Sequence, residues 1–338
     1  MTDIKNKQIE SKHLHDTLRK QMAEASEPRK TEIDVIRTAI WYALVKQKLS
    51  ASTAYEIERI LEPDGFGYSK NRDPYHKNTW PKYQAGKRTP NKALINKVDS
   101  QVSGTQYLID HVLWECLKVD TKRKFDANSW FKKLRANIQQ IIFEDNASNV
   151  LGNTRRIKFS EVQLKMLERR AGVDALACLM ILFHESYSEE NHERALDIGI
   201  SIYKVLLIVN NTLPFKHFTM ELFYIFDKKV FSKINANGLG FRFDKFSFVD
   251  AVELLNTLLL VIEDSGQSVN SLDTMIRLID GEHGFDIMSA LRAPVGPILV
   301  RNECNLKEYL NYDMQKKLRA WANSNIYSDK REKFPFIN

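Results

Sequence analysis

The sequence predicts an all-α protein, or one nearly so, and three observations carry that expectation. Apolar residues recur at spacings of three and four over long stretches. Glycine (13) and proline (9) are scarce in 338 residues, which argues against the turn-rich sandwich and barrel classes. Helix-starting residues stand before several of the periodic runs. A hydrophobic share of 43% with 28% charged residues excludes a mostly disordered chain, and the length gives two domains as the first expectation.

Residues 1–30 read as a polar arm or a marginal helix, with Leu14, Leu18 and Met22 as a thin apolar stripe. From Thr31 the pattern strengthens. Ile33, Ile36, Ile40, Leu44 and Val45, with Trp41 alongside, predict a helix over 31–49. Ser50 or Ser52 is expected to cap a helix over about 52–62, carrying Tyr55, Ile57, Ile60 and Leu61 and stopping before Pro63. Residues 63–76 hold two prolines and two glycines and predict a loop or small ribbon. Helices are expected over about 91–101 and 105–118, followed by a polar joint at 118–128. The domain boundary is placed there or at 144–154.

Ser160 with Gln163 forms a capping-box pair that opens a helix expected to run to Tyr187. Further helices are expected over 189–211, 214–235, 247–264, 270–280 and 305–324. Pro214 suits a helix start. Phe241, Phe243, Phe246 and Phe248 alternate with polar residues, read here as an aromatic-pinned loop, and 292–297 as a link between elements. The resulting division is an arm (1–30), a helical domain (31–120), a basic linker (121–159) and a larger helical domain (160–338) serving oligomerisation or partner contacts.

The net charge of +7 is unevenly placed. Between Gly65 and Lys97 stand Lys70, Arg72, Lys77, Lys82, Lys87, Arg88, Lys92 and Lys97, against Asp73 alone. A second cluster joins Lys122, Arg123, Lys124, Lys132, Lys133 and Arg135. A third joins Arg155, Arg156, Lys158, Lys165, Arg169 and Arg170. Clustered cations are what a phosphate backbone requires, because each neutralised phosphate releases condensed counterions. For the second and third clusters a solvated surface is the simpler expectation.

The first cluster coincides with a motif, Asn78-Thr-Trp-Pro-Lys-Tyr-Gln-Ala-Gly-Lys-Arg-Thr-Pro-Asn91. Thr79 is placed to cap a short helix. Trp80 and Tyr83, at i and i+3, share one face and can anchor it, leaving Lys82 and Gln84 to point elsewhere. Gly86 allows the positive φ of a helix end, and Pro90 with Asn91 opens the next helix.

The segment over about 78–101 resembles the helix-turn-helix of the lambda-repressor-like (Cro/Xre-type) family, with Tyr83, Gln84, Gly86, Arg88 and Pro90 matching its turn in order. The resemblance implies DNA binding: Asn78, Thr79, Lys82 and Gln84 toward the groove, and Lys87, Arg88 and Thr89, with Lys77 and Lys92 beside them, toward phosphates. It also implies a homo-oligomer reading two half-sites. Three features depart from the family pattern: Pro81 inside the short helix, the 63–76 insert, and no small-residue second helix before Asn78.

No catalytic motif accompanies it. His184-Glu185 and His192-Glu193 lack the i, i+4 histidine spacing of a zinc helix, and Asp280-Gly-Glu-His283 has no paired nucleophile. Cys116, Cys178 and Cys304 have no metal-type spacing. No cofactor or metal is expected. The charged N-terminal residues and the lack of an 18-residue apolar run lead to the expectation of a cytoplasmic chain without a membrane span. The expected function is therefore non-enzymatic DNA binding, as a transcription regulator or a component of a bacterial, phage or mobile-element system. The alternatives are a helical adaptor whose basic patches meet RNA or an acidic protein, and an enzyme without a sequence-visible motif.

Overall fold

The computed structural model describes residues 2–25, 30–68, 74–119, 126–144, 155–243, 247–266, 270–298 and 306–326. Among the described residues the protein is all-α but for two separate antiparallel pairs of three-residue strands. The chain divides into two compact units, one taking residues up to 118 together with 213–225, the other taking 119–212 and 226 onward. No sequence signal announced that residues 213–225 return to the first unit.

In the first unit, α1 (Thr2–Glu24) is a helix rather than an arm: Leu18 and Met22 are buried, and α1 packs on α2. α2 (Glu32–Lys48) begins in a reciprocal capping box between Thr31 and Asp34 and buries Ile33, Ile36, Ile40, Trp41 and Val45. Asp34 also accepts a hydrogen bond from Lys118 at 2.6 Å and forms an ion pair with Arg37 at 3.0 Å. Burial alone would raise its carboxyl, but the hydrogen bonds from Lys118 and Thr31 outweigh that and hold the pKa below its ordinary value.

α3 (Ala54–Leu61) is capped by Thr53, whose hydroxyl accepts the Glu56 N–H at 3.2 Å, and not by Ser50 or Ser52. Ser50 sits at φ 51, in the left-handed region beyond the end of α2, and cannot take the extended cap conformation. Ile57 and Leu61 are buried, whereas Tyr55 and Ile60 are exposed. Within the 63–76 stretch a 3-10 turn at Pro63–Gly65 leads into β1 (Phe66–Tyr68), which pairs with β2 (Pro74–His76), Phe66 opposite His76. α4 (Trp80–Gln84) and α5 (Lys92–Gln101) follow. The helix expected over 105–118 is broken into α6 (Thr105–Ile109) and α7 (Val112–Lys118), with His111 Nδ1 accepting the Leu113 N–H at 3.1 Å at the start of α7. A 3-10 turn at Phe215–Phe218 packs on α2.

In the second unit, α8 (Ala127–Phe131) and α9 (Ala136–Ile142) occupy part of the expected linker and bury Phe131, Ile138, Ile141 and Ile142. α10 (Glu161–Arg170) starts in the expected Ser160–Gln163 capping box. It ends at Ala171, and α11 (Val173–Ser188) starts anew, so the single long helix to Tyr187 is two. α11 is apolar and buried on all sides over 175–183 and pairs with α12 (His192–Val209) as the core of the unit. α13 (Thr219–Lys229) straddles the division, its residues up to Ile225 counting with the first unit, and a 3-10 turn at Phe231–Lys233 follows it in the second.

Among the described residues, of the alternating rings only Phe241 lies in a strand; Phe243 follows it without regular structure and Phe248 is in a helix. β3 (Leu239–Phe241) pairs with β4 (Val295–Pro297), inside the stretch expected to be a mere link. Phe231 and Phe241 are 4.6 Å apart, and Phe241 stacks on Phe243 at 5.6 Å, so these rings pin the strand to the helices. Phe246 lies outside the described residues. Gly199 admits the strand: a Cβ there would fall 2.4 Å from Ile234 and 3.1 Å from Phe241. α14 (Ser247–Asp264), α15 (Ser271–Ile279), α16 (Phe285–Leu291) and α17 (Leu306–Ile326) complete the unit; α16 had no counterpart in the sequence reading.

Among the described residues no helix is long and apolar enough to cross a membrane, and no cluster of three or more His, Cys, Asp or Glu side chains could hold a metal ion. Cys116 and Cys178 are buried, and burial pushes the Cys178 thiol well up. Cys304 lies outside the described residues.

Two predictions follow from this packing. His15 Nδ1 lies 3.0 Å from Glu221 Oε1, and that hydrogen bond raises the imidazole above 6.5. Because folding raises this pKa, the contact contributes fully below about pH 6.5 and is lost as pH rises through the higher folded value. An NMR titration is expected to place His15 above 6.5 and to drop it in Glu221→Gln. Separately, Arg156 donates to both oxygens of Glu185 at 2.5 and 2.7 Å and lies over the Phe131 ring. Arg156→Ala should cost about 2–3 kcal/mol in denaturant unfolding.

Candidate nucleic-acid interface

The basic motif folds as α4, a glycine turn and α5, and its apolar side is buried. Trp80 is fully buried and Tyr83 is 4% exposed. Trp80 stacks on Trp41 of α2, centroids 5.6 Å apart and planes within 20°, while Tyr83 meets both indoles edge-on at 5.9 and 5.7 Å. The Trp80 Nε1–H donates to Glu62 at 2.9 Å. Such rings prefer offset stacks and edge contacts, and large buried rings dominate local packing energy. A five-residue helix has too few internal hydrogen bonds to stand alone, so this stack holds it. Pro81 is accommodated in the first turn, where no N–H is required.

Gly86 ends α4 at φ +61. A Cβ there would lie 2.6 Å from Val35 Cγ1 and 2.9 Å from the Val35 carbonyl oxygen, so both conformation and space demand glycine. After it the chain folds back: the Lys82 carbonyl accepts the Lys87 N–H at 2.8 Å and the Arg88 N–H at 3.3 Å. Asn91 caps α5, its side chain accepting the Leu94 N–H at 2.8 Å.

The expected contact residues separate into two groups. Lys77, Asn78, Lys82, Lys87, Arg88 and Lys92 are exposed. Among the described residues none of the five cations in that set makes an ion pair. The backbone turn joins Lys82, Lys87 and Arg88 directly.

The other expected residues differ. Thr79 is half-buried and makes no side-chain cap, because its backbone is already helical; instead its N–H donates to Glu58 at 3.3 Å. Thr89 is half-buried. Gln84 is half-buried and lines a groove with His15, Tyr42, Lys46 and His217. Two residues beyond Lys82, it lies on the opposite side of the short helix, so it does not join the exposed set. Lys70, Arg72 and Asp73 lie outside the described residues.

Three residues that hold the turn carried no sequence signal. The Lys30 ammonium donates to the Gly86 carbonyl, 56 residues away, and burial lowers its pKa. Glu58, 1% exposed on α3, and Glu62 brace the entry to α4. Apolar periodicity cannot report such polar, long-range partners.

The other basic clusters are more engaged. Arg155 pairs with Glu144, Arg156 with Glu185 and Arg135 with Asp174, although Lys132, Lys133, Lys158, Lys165, Arg169 and Arg170 are exposed. Lys122, Arg123 and Lys124 lie outside the described residues. His184 is buried in α11 and His192 exposed at the start of α12, and Glu282 of the 280–283 turn pairs with Arg277. No family model, no curated protein and no solved structure matches the chain.

Two substitutions test this construction. Gly86→Ala is expected to destabilise the first unit by about 1–3 kcal/mol, from a left-handed backbone and the contact with Val35. Trp80→Ala is expected to cost about 3–5 kcal/mol. Thermal or denaturant unfolding measures both; an unchanged midpoint for Trp80→Ala would show that the ring stack does not hold α4.

Proposed function

We propose that the first unit binds DNA, with Lys82, Lys87 and Arg88 on one turn meeting the phosphate backbone and Lys77, Asn78 and Lys92 flanking them. One observation carries this reading: these cations are exposed and, among the described residues, make no ion pair, on a segment whose opposite side is fixed by Trp80 and Tyr83. A rigid backing lowers the entropy lost when side chains are ordered on a ligand. Unpaired cations pay no exchange of partners when they meet phosphate.

The resemblance of 78–101 to the lambda-repressor-like helix-turn-helix supplies the mode, a short helix and its turn set at the duplex. Asn78, exposed at φ 50, is the side chain placed to address a base edge, in keeping with asparagine's pairing to adenine. Gln84 has no part in the contact. A role as a transcription regulator, or as a component of a phage or mobile-element system, extends the same reading, as does a homo-oligomer that reads two half-sites.

Gel-shift titration of duplex DNA over a salt series tests it. Wild-type affinity should fall steeply with salt. Lys87→Glu with Arg88→Glu should abolish binding at moderate salt and reduce the salt slope by about two. Lys165→Glu with Arg169→Glu on α10 should leave it nearly unchanged. Equal loss from both pairs, or none from the first, overturns the proposal.

A further inference from the structure

The second unit contains a cavity of 760 Å3 between α14, α16, the approach to β4 and α17. That lies within the roughly 300–1,000 Å3 of small-molecule sites. Among the described residues its wall is strongly one-signed: Arg242, Arg292, Lys316, Lys317 and Arg319 line it, against one carboxylate, Asp250.

These cations are held in place largely without neutralisation. Arg242 donates to the Pro297 and Ile298 carbonyls at 3.3 Å each, and Arg319 donates to the Arg292 carbonyl. Lys316 sits over the Tyr312 ring at 5.5 Å. Of these cations, among the described residues, only Lys317 pairs with a carboxylate, Asp313, at 2.8 Å. A cleft lined by one sign with low-dielectric walls concentrates counter-ions of the other sign.

The remaining lining is mostly apolar, with alanine and leucine side chains of α14 and α16 beneath. Two rings border it: Phe285, 44% exposed, and Tyr312. Tyr312 is set by β4. Gly296 has no side chain, and a Cβ there would fall 2.2 Å from the ring, so the ring packs directly on the strand backbone. The same tyrosine borders a neighbouring cavity of 590 Å3. α17, which carries Tyr312 and three of the cations, is tied down by Asn325, whose buried amide donates to Asp286 at 3.2 Å, and by fully buried Ala322. The wall is therefore positioned rather than a loose basic tail.

We infer that this cavity binds a small organic anion bearing a flat ring system, a nucleotide being the class that fits. The phosphate goes to Arg292, Arg319 and Lys316, and the base lies on the apolar lining against Phe285, the bordering ring left exposed. Aromatic faces stack on bases of any identity, and guanidinium groups match phosphate oxygens in geometry. The inference is independent of DNA binding by the first unit.

Fluorescence titration of the full chain with N-methylanthraniloyl-AMP tests it, with unlabelled AMP, adenosine, inorganic phosphate and a single-stranded oligonucleotide as competitors. Saturable binding that AMP displaces, and that adenosine or phosphate at equal concentration does not, supports the site. Arg292→Glu and Lys316→Glu, both at exposed positions, should each weaken binding by about tenfold or more, and Arg292→Lys by much less. Unchanged melting temperatures would show that the variants fold. No saturable signal, displacement by phosphate as readily as by AMP, preference for the oligonucleotide, or full binding by both charge reversals overturns it.

Discussion

The contact between Trp41 and Trp80 sets the terms for the rest of the first unit. α2 contributes Trp41 from a fully buried stripe, and α4 contributes Trp80 and Tyr83 from a helix of five residues. Remove that stack and α4 has neither the length nor the caps to persist. Keep it, and the backbone that leaves Tyr83 is forced through Gly86, over Val35, and back onto the Lys82 carbonyl. The outward direction of Lys82, Lys87 and Arg88 is a consequence of what is buried behind them.

The elements legible in the sequence were those written by local chemistry. The α2 stripe, the Ser160–Gln163 box, the Asn91 start, the Gly86 end and the span of α14 follow from periodicity and from side chains bonding their own backbone. Misreadings arose where distant residues decide. Ala171 and Gly172 divide α10 from α11 within a run whose apolar period continues without pause. β4 has no strand signature of its own and exists because β3, 56 residues earlier, pairs with it. Residues 213–225 belong with the first unit through packing on α2 that no local pattern encodes.

The site divides along the same line. Its exposed cations and glycine turn were evident from residue type and order. The half-buried place of Gln84 could not be read in advance, because the groove of α1, α2 and the 3-10 turn exists only in three dimensions. Lys30, Glu58 and Glu62 were missed for a related reason: each bonds a backbone or indole group far along the chain. In the second unit, the cationic wall drew on residues from 242 to 319, no two clusters of which stood out in composition.

The central claim is that the turn from Lys82 to Arg88 is the surface that meets DNA. Photo-cross-linking of bound duplex DNA, followed by mass spectrometry of the attached peptides, addresses it without altering the protein. The account predicts attachment concentrated within residues 77–92. Cross-links confined to other basic segments, such as 155–170, with residues 77–92 unmodified, would contradict it.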